Sequence, residues 1–168
     1  MKKAFLLFAV AASCVSPAMA DADPGVKAEM DKTGLKYAVD SDDDIRVSFD
    51  STWGGNDVHV YVDKAVETLA GLKVRDVWAE GVRMDKIPAE LKRIAAESNG
   101  EYKIGAWQLH TNGGRERLIF RYPVDADADA GVLEDVIQAI GSTVDGFREE
   151  NRRFTEETPR TPAGRNRL

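Results

Sequence analysis

The stretch 104-IGAWQLHTNGGRERLIFRY-122 decides the class of fold. Two extended segments, Ile104 to His110 and Leu118 to Tyr122, flank Thr111-Asn112-Gly113-Gly114. Asn-Gly and Gly-Gly supply the positive backbone dihedrals of a tight hairpin, so these strands pair antiparallel. An antiparallel sheet with one apolar face needs helices laid over that face.

Working back along the chain, the same period of two recurs. Ile45, Val47 and Phe49 alternate with Arg46, Ser48 and Asp50, and Val58, Val60 and Val62 alternate with His59 and Tyr61. Trp53-Gly54-Gly55-Asn56-Asp57 is the turn between them. Val74 to Met84 is a third extended segment, with Val74, Asp76 and Trp78 on one face and Arg75, Val77 and Ala79 on the other. Tyr37 and Val39 lead into the acidic turn Asp40 to Asp44.

Helical spacing marks three further segments. Val26 to Lys32 is a short helix that Gly34 stops. Pro88 suits a first helical turn, Leu91, Ile94, Ala95 and Ser98 follow at helical spacing, and Asn99-Gly100 ends the run. The longest helix spans Ala130 to Phe154, with a stripe of Leu133, Val136, Ile137, Ile140, Val144 and Phe147 on one side and Asp129 as N-cap. The predicted order is α-β-β-β-α-β-β-α, which is an α+β fold with an antiparallel sheet flanked by helices.

The two ends read differently. Lys2 and Lys3, an apolar run from Ala4 to Val15 and the exit Ala18-Met19-Ala20 have the form of a bacterial secretory signal over residues 1–20. Cleavage after Ala20 places a single α+β domain over 21–154 in the periplasm or outside the cell. The competing reading takes Ala11-Ala12-Ser13-Cys14 as a lipobox, with the protein anchored as a lipoprotein through Cys14. Residues 155–168, with Pro159, Pro162, Gly164, Arg160, Arg165 and Arg167 and no apolar period, read as a flexible C-terminal tail.

The chain has 23 Lys+Arg against 29 Asp+Glu, and removal of Lys2 and Lys3 with the leader takes the net charge from -6 to -8. Such acidity repels nucleic acid and anionic headgroups and favours a basic partner. After the leader no apolar run approaches a membrane span.

Three clusters carry a resemblance to a known family. Gly34-Leu35-Lys36-Tyr37-Ala38-Val39-Asp40 is followed by an acidic turn and Ile45. Asn99-Gly100 precedes Ile104-Gly105-Ala106-Trp107-Gln108-Leu109, and the closing helix carries Val144-Asp145-Gly146-Phe147. Together they resemble the YbjN-domain family over about Val26 to Phe154. The resemblance implies a fold similar to type III secretion chaperones, a dimer or a peptide-binding face, and a role among sensory transduction regulators. No catalytic residues come with it.

Residue chemistry points away from a catalytic centre. Asp40, Asp42 and Asp44, and again Asp125, Asp127 and Asp129, have the first spacings of a calcium loop. The required glycine is Ile45 in one and Ala130 in the other, and the twelfth-position Glu is Ser51 in one and Val136 in the other, so both read as turns. His59 and His110 are the only histidines; even if they met across the sheet, a third zinc ligand has no candidate. Ser48, Ser51 and Ser98 lack a nucleophile elbow, and Gly54-Gly55 and Gly113-Gly114 lack the Lys-Ser/Thr of a phosphate loop. The expectation is no metal, no cofactor and no enzyme.

Aromatic residues are the remaining candidates. Trp107 falls on the core face of its strand, whereas Trp53 in the glycine-rich turn, Tyr61 and Trp78 offer apolar contact to a partner. The expected function is an exported protein- or peptide-binding domain, chaperone-like or regulatory, with homodimerisation as its closest variant. The alternative is an envelope sensor of a small molecule or ion, using the acidic loops.

Overall fold

The computed structural model describes residues 23–155. The leader, Cys14 and the tail beyond Thr155 lie outside the described residues.

Helix α1 covers Pro24–Thr33; the Asp23 carboxylate accepts from the Gly25 N–H at 2.8 Å, and Gly34, at φ 74, closes it. Five strands follow: β1 Tyr37–Val39, β2 Ile45–Phe49, β3 Val58–Val62, β4 Glu67–Leu69 and β5 Leu72–Met84. Helix α2 is Ala89–Ser98, β6 is Ala106–Asn112, β7 is Arg115–Asp125, α3 is Ala130–Glu150 and α4 is Arg152–Thr155. The strands form one antiparallel sheet in the order β1-β2-β3-β5-β7-β6, with β4 paired to the start of β5.

The class is α+β as expected, but the order of elements gains two strands and a short helix. β1 pairs with β2 over three residues, too few for alternation to reveal. All of β4 is exposed, so its sequence carries no core signal; it is held by the turn at Ala70 and Gly71, at φ 49 and 85. β6 and β7 run on to Asn112 and from Arg115, because Gly113 and Gly114, at φ 59 and 79, complete a hairpin loop of only two residues. The long helix breaks at Asn151, whose backbone and side-chain N–H groups both donate to the Phe147 carbonyl, at 3.2 and 2.9 Å.

One face of the sheet holds the core. Val47, Val60, Val77, Ala79, Leu118 and Phe120 pack with the α3 stripe, every expected member of which is buried. The approach of α3 is set by Gly141, where a Cβ would lie 3.0 Å from the Phe49 ring. Trp107 is 5% exposed, edge-on to Phe120 at 5.3 Å and tilted against Phe147 at 4.1 Å. Its indole lies over Gly81, at the bulge in β5 between Glu80 and Val82. Leu109, on the same face as Trp107, is 47% exposed at the last strand of the sheet.

Among the described residues no helix is long and apolar enough to cross a membrane.

Candidate binding face

The residues that alternate with the core stand on the opposite side of the sheet, and strand register decides which of them meet. Arg46 on β2 is opposite Tyr61 on β3, Tyr61 is opposite Trp78 on β5, and Trp78 is opposite Arg121 on β7. Cross-strand neighbours share a face, so these four form one row across the middle of the sheet. The Tyr61 and Trp78 rings are stacked, with centroids 4.4 Å apart and an interplanar angle of 15°. Stacking turns their faces toward each other and their edges outward, giving a fixed aromatic ridge.

Polar groups hold this ridge in place. The Trp78 indole N–H donates to Asp63 Oδ1 at 2.5 Å, and Arg121 forms an ion pair with Asp76 at 3.2 Å. In the neighbouring row Ser48 is opposite His59 and Glu80 is opposite Ile119, with Ser48 Oγ and His59 Nδ1 2.9 Å apart. Ile119 is 4% exposed although it does not belong to the core cluster.

Asp63 is the most perturbed acid of this group. Burial pushes its carboxyl up to about 6, the hydrogen bond from Trp78 opposes the shift, and Asp44 and Asp76 add to it. A raised folded-state value means that the native protein holds this proton more tightly than the unfolded chain does. Stability therefore falls as pH rises from about 4 through about 6. Asp63→Asn keeps an acceptor for the indole and removes the charge. We expect it to flatten that fall and to gain on the order of 1 kcal/mol at pH 7, with solvent screening allowed for. Urea unfolding at pH 4.5 and pH 7 checks this; an unchanged pH dependence refutes it.

Of the three aromatic residues singled out from sequence, the structure brings Tyr61 and Trp78 together and sets Trp53 apart. Trp53 lies in the β2–β3 loop with its ring over Gly55, where a Cβ would come within 2.3 Å of it. That loop is bound to α3. Asp145 accepts from Ser51 Oγ at 2.8 Å, from Thr52 N at 2.9 Å and from Thr52 Oγ1 at 2.5 Å. Arg148 donates to the carbonyls of Asn56 and Asp57 in the same loop, and to those of Glu80 and Gly81 at the bulge.

The two histidines are not neighbours: β5 and β7 lie between the strands that carry them, a separation of about 14 Å or more. Burial and the nearby arginines, Arg46 for His59 and Arg121 and Arg117 for His110, hold both below the ordinary imidazole value. The acidic loops use their carboxylates locally. Asp40 Oδ1 accepts from the N–H groups of Asp42 and Asp44, Asp125 Oδ1 accepts from Asp127 N, and Asp129 Oδ1 accepts from Val132 N as the N-cap of α3. Among the described residues no group of three or more His, Cys, Asp or Glu side chains is placed to hold a metal ion.

The edge of the sheet at β6 is partly closed. Asn99, at the end of α2, accepts from Trp107 N at 2.6 Å and donates to Trp107 O at 3.1 Å. Its amide thereby takes the place of a paired residue on a neighbouring strand. Strand addition along β6 is left only the positions beyond Trp107.

Sequence reasoning missed Arg46 and Arg121. Each stands between apolar residues of an alternating strand, which marks it as outward-facing, but only the register places them at the two ends of the Tyr61–Trp78 pair. The chain matches no known family model and no curated protein.

Proposed function

We propose that this is an exported, non-enzymatic domain of YbjN type that binds a protein or peptide segment on the helix-free face of its sheet. The observation that carries the reading is the stacked Tyr61–Trp78 pair at the centre of that face. An uncovered sheet face is ordinarily lined by polar side chains, and a rigid aromatic pair there is the type of anchor that dominates binding energy. Its residues belong to strands fixed by pairing on both sides, so the surface is pre-formed and loses little freedom on binding. In this reading the fold is similar to that of type III secretion chaperones and the protein works in the periplasm or outside the cell. A second copy docked on the same face is the closest variant.

The test compares tagged wild-type protein with Trp78→Ala and Tyr61→Ala variants in capture from an envelope extract, with mass spectrometry and light scattering on the eluates. Both variants are expected to melt cooperatively. Each is expected to lose about 2 kcal/mol or more of partner affinity, which is a drop of about thirty-fold. Recovery of the same partners at the same yield by both variants refutes the reading. A wild-type homodimer that becomes monomeric in both variants identifies the partner as a second copy.

A further inference from the structure

Net acidity argues for a basic partner, but the row that holds the aromatic ridge has an arginine at each end, Arg46 and Arg121. β2, β5 and β7 place Arg46, Arg83, Arg115, Arg117 and Arg121 on the outer face together with Asp76, Glu80 and Asp125, and Asp63 follows β3; Arg83 is paired with Glu80 and Arg115 with Asp85. The outward positions of these strands carry no lysine between Ile45 and Phe49, Val74 and Met84, or Arg115 and Asp125. A chain with an overall charge of -6 thus gathers five guanidinium groups on one side of its sheet. Arginine rather than lysine is the side chain that grips carboxylates through two parallel hydrogen bonds.

The two arginines of the ridge row are the less engaged ones, since Arg83 grips Glu80 with two nitrogens and Arg115 pairs with Asp85. No ion pair engages Arg46 among the described residues, and its Nε, which is buried, has no hydrogen-bond partner. Arg121 is held by one contact to Asp76, and Arg117 by a 3.7 Å contact to Glu80. Asp76 and Glu80 interrupt the cationic strip, which disfavours a continuous phosphate backbone and suits separate carboxylates with a neutral interval between them.

The spacing of the row narrows the ligand. Arg46 and Arg121 are three strand steps apart, or about 14 Å, and the aromatic ridge lies between them. In an extended peptide, residues i and i+4 project to the same side about 13 Å apart, with residue i+2 midway. We infer that the face takes an acidic extended segment of the form acid-x-apolar-x-acid, laid across the strands. Its two carboxylates meet Arg46 and Arg121, and its central apolar side chain rests on the Tyr61–Trp78 ridge. This inference rests on the docking face proposed above and adds the chemistry of what docks.

Three synthetic peptides test it against the full chain: Ser-Gly-Glu-Thr-Leu-Thr-Glu-Gly-Ser, and the same sequence with both Glu replaced by Gln or by Lys. Binding is read by fluorescence anisotropy at low ionic strength up to millimolar protein. The Glu peptide is expected to bind about ten-fold more tightly than the Gln peptide, and the Lys peptide more weakly still. Arg46→Gln and Arg121→Gln are each expected to weaken the Glu peptide about five-fold, and salt to weaken it further. Equal binding of the Glu and Gln peptides, or tighter binding of the Lys peptide, overturns the inference while leaving the docking face intact if Trp78→Ala abolishes that binding. Glu-peptide binding unaffected by both Arg46→Gln and Trp78→Ala overturns the face as well, as does no binding by any of the three.

Discussion

Replacing Gly81 with alanine is expected to cost about 2–4 kcal/mol, although the same change in an ordinary strand gains a little by restricting the unfolded chain. The new methyl would stand 2.5 and 2.7 Å from Cζ3 and Cη2 of Trp107, where carbon atoms need about 3.5 Å or more. The indole has no easy retreat, since Phe120 and Phe147 bracket it and it is 5% exposed. The ring must leave the core or the β5 bulge must open, and either breaks the packing between sheet and α3. A double-mutant cycle isolates the cause. Trp107→Leu alone should cost about 1–3 kcal/mol, and in that background Gly81→Ala should cost almost nothing. Additive losses in urea unfolding would show that the two residues do not meet.

Asp145→Ala is the second large effect, also about 2–4 kcal/mol, because it strips the acceptor from three donors of the β2–β3 loop around a residue 7% exposed. Burial alone would raise the Asp145 carboxyl, but the donors from Thr52 and Ser51 outweigh it and hold it below the usual carboxylate range. With the folded-state value depressed, its contribution is complete above the unfolded value of about 4 and is lost as pH falls through the folded one. Wild-type protein should therefore lose stability below about pH 4 more steeply than Asp145→Ala does. Chemical denaturation from pH 7 to pH 3 reads both effects, and parallel pH curves would refute the second. Trp53 fluorescence should report the released loop.

The legible parts of the fold were those in which side-chain period and burial coincide. Ile45, Val47, Val58, Val60, Val62 and the α3 stripe identify themselves, and the Gly-Gly loop between β6 and β7 follows from backbone freedom. β1 and β4 were not legible, one being too short to alternate and the other exposed throughout. The face was half legible. Tyr61 and Trp78 could be recognised as outward aromatics, but their stacking and the flanking arginines depend on register among four strands, which is a tertiary quantity. The place of Trp53 depends on Asp145, more than ninety residues further along, and nothing local to the loop reveals that bond.

Arg148 gives the domain a temporal order as well as a shape. Its guanidinium reaches carbonyls 67 to 92 residues earlier in the chain, at the bulge and in the β2–β3 loop. Contacts of such sequence separation close the largest loops and form after the local hairpins. On a chain emerging from its N-terminus, the hairpins of the sheet can pair long before α3 exists, yet the bulge keeps its carbonyls open until position 148 arrives. Contacts made on the native side of the folding barrier govern escape from the native state rather than entry to it. Arg148→Ala is accordingly expected to speed unfolding more than it slows folding, which stopped-flow chevrons of the two proteins would read.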